Sequence, residues 1–285
     1  MQPGARPAES SRAPASGAQS LQARLTGMQL GAGWRVERRL GTGALFEVWR
    51  ARAGDGSRTV IKTLNAERPE EPLACRILRK EFDWLDAVQH PNIVRVLAWL
   101  DMPRSPAFVA EYLDGGDMVS LAGAHPRHWL APLRDLVSAL AYLHGRGIVH
   151  RDIKARNVMF HRDGSVRLID FASASPVGAS VPAWGATAAH RSRRMSREAR
   201  AEDDVYALAV LVYELFTGRL PFGLQGAGPG SLAPAPLARS GDAGLDALAD
   251  LVMGCLGPPE QRCERNILAF MQVISSIDAK ERSLS

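Results

Sequence analysis

The chain has 285 residues, of which 46% are apolar and 23% charged, an ordinary globular mixture. Its net charge of +5 is mild for this length and does not indicate a nucleic acid partner. No apolar run reaches the roughly 18 residues of a membrane-spanning helix, and three cysteines without a CxxC pair indicate reduced thiols in a cytoplasmic protein.

The sequence predicts a folded domain flanked by two tails. Residues 1–30 are rich in Pro, Ala, Ser and Gly and lack the apolar centre of a secretory signal. Such a composition buries too little surface to order itself, so we expect a flexible tail there. A folded domain is expected over 31–279, divided into 31–112 and 113–279, and a short tail over 280–285.

An antiparallel meander is predicted after the first tail. Segments 34–40, 46–52 and 58–64 have strand character and are separated by glycine-containing breaks. The first break contains Gly41, Thr42 and Gly43, and the absence of Cβ atoms at the two glycines allows a phosphate to approach the backbone closely. In the third segment Val60 and Lys62 lie two positions apart, so their side chains share a face.

A helix and two further strands complete a predicted five-stranded region. Apolar residues recur at helical spacing over 73–88, which predicts an amphipathic helix that also carries Glu81. The segments 93–100 and 107–113 then have strand character. A second amphipathic helix is predicted over 132–144 and ends at the glycines that follow it.

The polar loop, residues 150–157, reads HRDIKARN and follows that second helix directly. The Asp152 carboxylate can accept the proton of an attacking hydroxyl, and the Lys154 ammonium can neutralise a transferring phosphoryl group. A hairpin turn at Asp163-Gly164 leads to Asp170. Asn157 and Asp170 carry the hard oxygen ligands that Mg²⁺ prefers, so the pattern indicates phosphoryl transfer.

The remainder of the chain is predicted to be helical. Residues 204–217 are nearly all apolar, which predicts a helix buried on all sides. A low-complexity connection follows over 223–240, and two more helices are predicted over 245–255 and 266–277.

These motifs together resemble eukaryotic-type Ser/Thr protein kinases, in particular a bacterial-type member. HRDIKARN and the later DFA resemble the family's H-R-D-x-K-x-x-N and D-F-G. TVIK resembles V-A-I-K, HPNI and DVYALAVLVYELFTGRLPF also match family motifs, and the order is the family order. The resemblance covers about 34–277 and implies a bilobal α+β fold, with a small five-stranded lobe carrying one helix and a larger, mainly helical lobe.

The resemblance also implies roles for individual residues. Lys62, paired with Glu81, would bind the α- and β-phosphates of ATP, with Asp152 and Lys154 acting on the substrate hydroxyl and γ-phosphate. Asn157 and Asp170 would hold Mg²⁺ or Mn²⁺. The remaining nucleotide-binding residues would be Leu40, Gly41, Thr42, Gly43, Val48, Val60, Glu111, Leu113, Asp117 and Met159. Small Ala110 would leave the pocket behind the adenine open.

Three departures from the family pattern bear on activity. Phe46 stands where the family has the third glycine of its phosphate loop, and Ala172 replaces the glycine of D-F-G. The A-P-E motif is absent, with TAAHRS at 187–192 in its place. In the family the glutamate of A-P-E pairs with an arginine that the resemblance of CLGPPEQR to C-L-x-x-D-P-x-x-R places at Arg262, so Arg262 lacks that partner unless Glu198 substitutes. The arginine-rich stretch 191–200 could bind acidic substrate residues or a phosphoserine, or could be a solvated basic face.

The predicted function is ATP-dependent phosphorylation of Ser or Thr in protein substrates, with the chain itself as one candidate substrate. No nucleic acid partner and no membrane span are expected. The alternatives are a pseudokinase that binds ATP without transferring phosphate and, third, a small-molecule phosphotransferase.

Overall fold

The computed structural model describes residues 29–30, 33–65, 72–101, 106–180, 190, 198–226, 233–257 and 266–284. The chain divides into two compact units. Unit 1 comprises Met1–Arg76 and Leu97–Tyr112, and unit 2 comprises Ile77–Val96 and Leu113–Ser285. A sheet dominates unit 1 and helices dominate unit 2, so the predicted α+β class is confirmed.

A six-stranded sheet forms unit 1, and its spatial order is β1-β2-β3-β4-β6-β5. The central strands pair antiparallel, as predicted for the meander. Five of the six strands match the five predicted, and a two-residue strand joins the edge. The strands are β1 (Gln29–Leu30), β2 (Trp34–Thr42), β3 (Phe46–Arg52), β4 (Arg58–Leu64), β5 (Val96–Leu100) and β6 (Ala107–Glu111).

Alternation along β3 and β4 builds the core of unit 1 on one face of this sheet. In β3, Trp49 and Ala51 are buried, while Val48 and Arg50 face the other side and are half-buried. The core cluster consists of Val36, Trp49, Ala51, Ile61, Leu100, Ala107 and Val109. Lys62 lies on the opposite face together with Val48 and Val60, as their spacing predicts.

Helix α1 (Pro72–Ala87) follows β4 in the sequence, and β5 begins three residues later than predicted. The backbone of residues 92–94, which was predicted to belong to this strand, forms other hydrogen bonds. Val94 N–H donates to Leu168 O (3.0 Å) and Leu168 N–H donates to Asn92 O (2.8 Å). Asn92 also donates its side-chain amide to Val166 O (3.1 Å). This segment, itself part of unit 2, therefore pairs with residues 166–168 before β5 starts.

Among its described residues, unit 2 contains most of α1, four further α-helices and two small antiparallel strand pairs. The helices are α2 (Leu130–His144), α3 (Ala201–Thr217), α4 (Ala243–Leu256) and α5 (Ile267–Leu284). Strands β7 (Ile148–Val149) and β10 (Ser175–Pro176) pair, as do β8 (Val158–Phe160) and β9 (Val166–Leu168). The predicted turn at Asp163-Gly164 joins β8 to β9, with Gly164 at φ 83°.

Helix α3 is the buried centre of unit 2, as its apolar sequence predicts. Eleven of its residues are buried, and it contacts α4, while α5 contacts both α4 and α2. One of the buried residues, Asp204, is ionisable and has 0% exposure. A carboxylate at such a position requires hydrogen-bond donors.

The ends of the folded region extend beyond the predicted limits. Strand β1 lies within the range 1–30 that was predicted as a tail, and α5 continues through residue 279 to Leu284. Residues 77–96, predicted as part of the smaller lobe, belong to unit 2. Within the described ranges, no helix combines the length and the apolar composition that crossing a bilayer requires.

Candidate active site

The polar loop is anchored to the buried helix α3 through Asp204. The Asp204 carboxylate accepts hydrogen bonds from the backbone N–H of His150 (2.8 Å) and of Arg151 (2.7 Å). His144, at the end of α2, contacts the same carboxylate through Nε2 (2.9 Å). Arg151 has φ 68°, a strained value for a residue with a side chain. The paired donors at Asp204 compensate for this strain.

His150 connects the polar loop to the segment that carries Asp170. Its ring Nε2 lies 3.1 Å from Ile169 O, and the ring meets Phe171 edge-on at 4.7 Å between centroids. His150 and Phe171 are both fully buried. The base of the loop is thus packed on one side and hydrogen-bonded on the other, as a preorganised site requires.

Three predicted catalytic and metal residues meet within this loop. Lys154 Nζ donates to Asp152 Oδ2 (2.6 Å). Asn157 Nδ2 donates to the backbone oxygen of Asp152 (2.8 Å) and to its Oδ2 (3.0 Å). Since both acceptors are oxygens, the amide nitrogen of Asn157 must face Asp152, and its amide oxygen is directed away from Asp152.

Asp170 follows Ile169, the residue after β9 that pairs with Asn157. The backbone N–H of Ile169 donates to Asn157 O (2.9 Å), which joins the two predicted metal-binding positions. Asp170 has φ 67° and Ala172 lies in the short 3-10 turn Phe171–Ser173. Ala172 therefore avoids the left-handed region, and the strain falls on Asp170 instead. The backbone conformation at position 172 therefore does not require glycine, although the family has glycine there.

The predicted adenine and ribose positions in unit 2 also lie together. Asp117 and Met159 form an antiparallel bridge. Gly115 N–H donates to Phe160 O (3.1 Å), and a Cβ on Gly115 would come within 2.5 Å of the Phe160 Cβ, so only glycine fits there. Asp117 Oδ1 accepts from Val119 N–H (3.2 Å), which makes Asp117 the cap of a 3-10 turn as well. Its predicted ribose contact stays a prediction, as does the role of Leu113.

The predicted phosphate-binding residues of unit 1 lie on β2, β3 and β4 and in the turn between β2 and β3. Gly41 is opposite Val48, and Val48 is opposite Lys62. Around Gly41 an added Cβ would meet nothing within 4 Å, and around Gly43 it would meet only Phe46 O at 3.7 Å. Neither glycine has a left-handed φ. Neither backbone conformation nor packing within the described residues therefore explains why glycine occurs at these positions.

The turn that carries Gly41 and Gly43, here called the glycine turn, is closed by Asn65. Its side-chain amide donates to Gly43 O (2.7 Å) and its backbone N–H donates to Leu45 O (2.8 Å). Gly43 N–H in turn donates to Phe46 O (2.8 Å). The Lys62 ammonium lies 5.1 Å from the centroid of the Phe46 ring.

Lys62 and Glu81 belong to different units, and their predicted pairing stays a prediction. Glu81 is 1% exposed, so the alternative that it is an ordinary surface carboxylate is wrong. The roles of the other nucleotide-site residues of unit 1 also stay predictions. These residues are Leu40, which is partly exposed, Thr42 at the end of β2, Val60, which pairs with Ala110, and Glu111 at the end of β6.

Two contributors to the site were absent from the sequence predictions. Asp204 was predicted only as the start of a buried helix, and the sequence does not single it out because Glu202 and Asp203 directly precede it. His190 is the second. Burial lowers the pKa of His190 to about 4, with opposing influences from Asp152, which raises it, and Lys154, which lowers it. His190 is therefore electrostatically coupled to the polar loop.

Most of the segment that departs from A-P-E lies outside the described residues. Thr187, the residues 191–197 and Arg262 are among these. Glu198 is described, and its backbone bridges Ser180 while its carboxylate lies 3.7 Å from Arg200. Whether Glu198 also serves Arg262 stays a prediction.

A comparison with protein families matches residues 34–282 to the protein kinase domain. "Probable serine/threonine-protein kinase SCO3848" of Streptomyces coelicolor is 33% identical over 213 residues, covering 68% of this chain and 31% of that protein. Serine/threonine-protein kinase Pkn1 of Myxococcus xanthus is 32% identical, covering 71% and 31%.

A third similar protein is serine/threonine-protein kinase PknL of Mycobacterium tuberculosis, 40% identical over 194 residues, which cover 60% of this chain and 48% of that protein. In each of the three relatives the matched region spans less than half of the relative's length.

Proposed function

Because this chain belongs to the protein kinase domain family, we propose that it transfers the γ-phosphoryl group of ATP to Ser or Thr hydroxyls of proteins. One observation carries the proposal. The Asp152 carboxylate is held by Lys154 and Asn157 in a loop that the buried Asp204 fixes to α3. Phosphoryl transfer depends mainly on such placement of charge.

Each polar side chain of the loop has a distinct role in the proposed reaction. Asp152 orients the substrate hydroxyl and accepts its proton as the oxygen attacks the γ-phosphorus and the bond to the β-phosphate oxygen breaks. Lys154, 2.6 Å from Asp152, neutralises charge on the transferring group. Its contact with the carboxylate keeps the ammonium next to the reacting oxygen.

The nucleotide is proposed to bind along the sheet face of unit 1 that carries Val48, Val60 and Lys62. Gly41 and Gly43 support this assignment, because glycine there is not required by φ or by packing. Close approach of a phosphate to the backbone is a sufficient reason for the missing Cβ atoms. Lys62 would bind the α- and β-phosphates.

Asn157 and Asp170 fit a divalent cation, and we propose Mg²⁺ or Mn²⁺. The Asn157 amide oxygen is directed away from Asp152, and Asp170 adds a carboxylate at the neighbouring position. Mg²⁺ commonly takes one or two protein ligands and completes its shell with water and substrate phosphates. Bound there, the ion would neutralise phosphate charge. Within the described residues, no group of three His, Cys, Asp or Glu side chains could hold a metal by itself.

Proteins are the proposed substrates, and autophosphorylation on Ser or Thr is included in the proposal. The names of the three similar proteins support the Ser/Thr class. We also propose a cytoplasmic location, which is supported by Cys75 and Cys255, two described thiols that are not in a disulfide bond.

Labelled phosphate transfer from ATP to a generic protein substrate tests the proposal, followed by identification of the phosphorylated amino acid. The Asp152→Asn variant removes the proton acceptor, and we expect turnover to fall by about 10²- to 10⁴-fold. Asp83→Asn is the matched control, because it makes the same change at an exposed side chain of α1.

Failure of the wild-type chain to exceed Asp152→Asn with either Mg²⁺ or Mn²⁺ would refute catalysis. Nucleotide binding without turnover would then identify a pseudokinase. Transfer to an aminoglycoside but to no protein would identify a small-molecule phosphotransferase.

A further inference from the structure

Phe46 is a departure from the family pattern that the proposed function does not explain. It begins β3 and is opposite Leu64, while Val48 is opposite Lys62. Phe46 and Lys62 are therefore diagonal neighbours on the same face of two paired strands. Diagonal neighbours are within reach of each other when one side chain is aromatic and the other long.

The ring of Phe46 lies over the Lys62 ammonium, with 5.1 Å between Nζ and the ring centroid. This distance falls within the roughly 6 Å over which an aromatic face attracts a cation. Phe46 is also held through its backbone, since its carbonyl accepts from Gly43 N–H (2.8 Å) and the preceding carbonyl accepts from Asn65 N–H (2.8 Å). The contact thus follows from strand pairing and from a closed turn.

We propose that Phe46 is a positioning residue that holds the Lys62 ammonium ready for the phosphates of the nucleotide. A lysine side chain is long and flexible, so fixing it on binding costs conformational entropy. A ring that restricts the ammonium beforehand reduces that cost. The ring faces only one side of the ammonium.

This inference rests on the proposed function, because it assigns Lys62 to the nucleotide phosphates. Phe46, at the position where the family has glycine, would then contribute to the affinity for phosphate. It would do so by holding the Lys62 ammonium, whereas a glycine would do so by letting a phosphate approach the backbone. The effect must therefore depend on phosphate and on Lys62.

Calorimetric affinities for ADP with Mg²⁺ and for adenosine test the proposal. Phe46→Leu keeps an apolar side chain but removes the ring, and we expect about two- to fivefold weaker ADP binding with unchanged adenosine binding. Phe46→Tyr keeps the ring and is expected to restore ADP affinity. In a Lys62→Met background, Phe46→Leu should have no further effect on ADP.

Several outcomes would overturn the proposal. Equal losses for ADP and adenosine would show that Phe46 only shapes the loop. Tighter ADP binding by Phe46→Leu would show that the ring obstructs the phosphates. An undiminished effect of Phe46→Leu in the Lys62→Met background would show that the ring does not act through the lysine.

A measurement without nucleotide checks the contact itself. In the wild-type protein the ring current of Phe46 should shift the Lys62 Hε resonances upfield, and Phe46→Leu should abolish that shift. Unshifted wild-type resonances would overturn the inference. A chain that binds ADP but transfers no phosphate would refute the proposed function alone, and the ADP affinities would still decide the role of Phe46.

Discussion

The polar loop of unit 2 and the glycine turn of unit 1 are held in very different ways. The polar loop is attached to a fully buried carboxylate, Asp204, which accepts two backbone hydrogen bonds and contacts a histidine. The glycine turn is closed by Asn65, in an exposed setting. Hydrogen bonds to a buried charge are strong, whereas exposed neutral ones contribute little.

This difference indicates which part of the proposed reaction each region serves. Groups that act on the transferring phosphoryl group must be placed before the substrate arrives, since their contribution is electrostatic and depends on fixed geometry. A turn that admits and releases a nucleotide benefits from weaker attachment. We therefore expect changes at the polar loop to lower turnover, and changes at the glycine turn to alter nucleotide affinity.

The largest combined effect on stability and turnover is expected for Asp204→Ala. The substitution leaves the N–H groups of His150 and Arg151 without their acceptor and removes the partner of His144. We expect a loss of about 3–5 kcal/mol in the free energy of unfolding and a loss of turnover of at least about 100-fold. Urea denaturation followed by circular dichroism, together with phosphate transfer assays, measures both.

Asp83→Ala is the control for Asp204→Ala, because it removes an exposed carboxylate that pairs only across one turn of α1. We expect it to stay within about 0.5 kcal/mol of the wild type. If the two variants had equal unfolding free energies, Asp204 would not anchor the loop.

Asn157→Ala should lower turnover by about 100-fold with a smaller effect on stability. The variant loses both hydrogen bonds to Asp152 and an oxygen proposed to bind the cation. Steady-state kinetics with varied ATP and Mg²⁺ would place the loss mainly in kcat. Gln272→Ala, an exposed amide on α5, is the control. An unchanged kcat would remove Asn157 from the proposed site.

His190 predicts a pH dependence of stability. Burial holds the folded-state pKa at about 4, below the ordinary value of 6.5, so the unfolded chain binds a proton more readily. The stabilising contribution is complete above pH 6.5 and is lost as the pH falls through 4. We expect a loss of about 2 kcal/mol between pH 7 and pH 4.

His190→Gln should remove this pH dependence, as measured by urea denaturation at a series of pH values. Asp203 titrates in the opposite sense over the same range, because burial raises its pKa to about 6. The comparison must therefore be made between the variant and the wild type at each pH. Parallel pH profiles would show that His190 does not contribute.

The sequence predicted the elements of the fold closely because their patterns are local. The limits of β3 and β4 agree with the predicted segments, and the turn at Asp163-Gly164 lies where the dipeptide indicates. The start of β5 was wrong, because Asn92 and Val94 pair with β9, a contact between residues more than seventy positions apart. Periodicity within a segment carries no information about such a partner.

The site was predictable where motif spacing fixes neighbours and was incomplete elsewhere. Asp152, Lys154 and Asn157 lie within six residues, so a single loop brings them together. The anchoring by Asp204 joins residues over fifty positions apart, and its identity depends on how α3 is buried. The left-handed conformation of Asp170, not of Ala172, likewise depends on tertiary packing.

The smallest effect is expected at the glycine turn, for Asn65→Ala. The variant loses the donor to Gly43 O but keeps the backbone hydrogen bond to Leu45 O, so the turn persists with weaker closure. One exposed hydrogen bond contributes about 0.5–1 kcal/mol, which corresponds to a two- to fivefold rise in KM for ATP. Because the polar loop is untouched, kcat should remain at the wild-type value.

Asn266→Ala removes the cap of α5 and is the matched control, since it should lower stability by about 1 kcal/mol without changing KM. A fall in kcat with unchanged KM for Asn65→Ala would contradict the division of roles between the two regions.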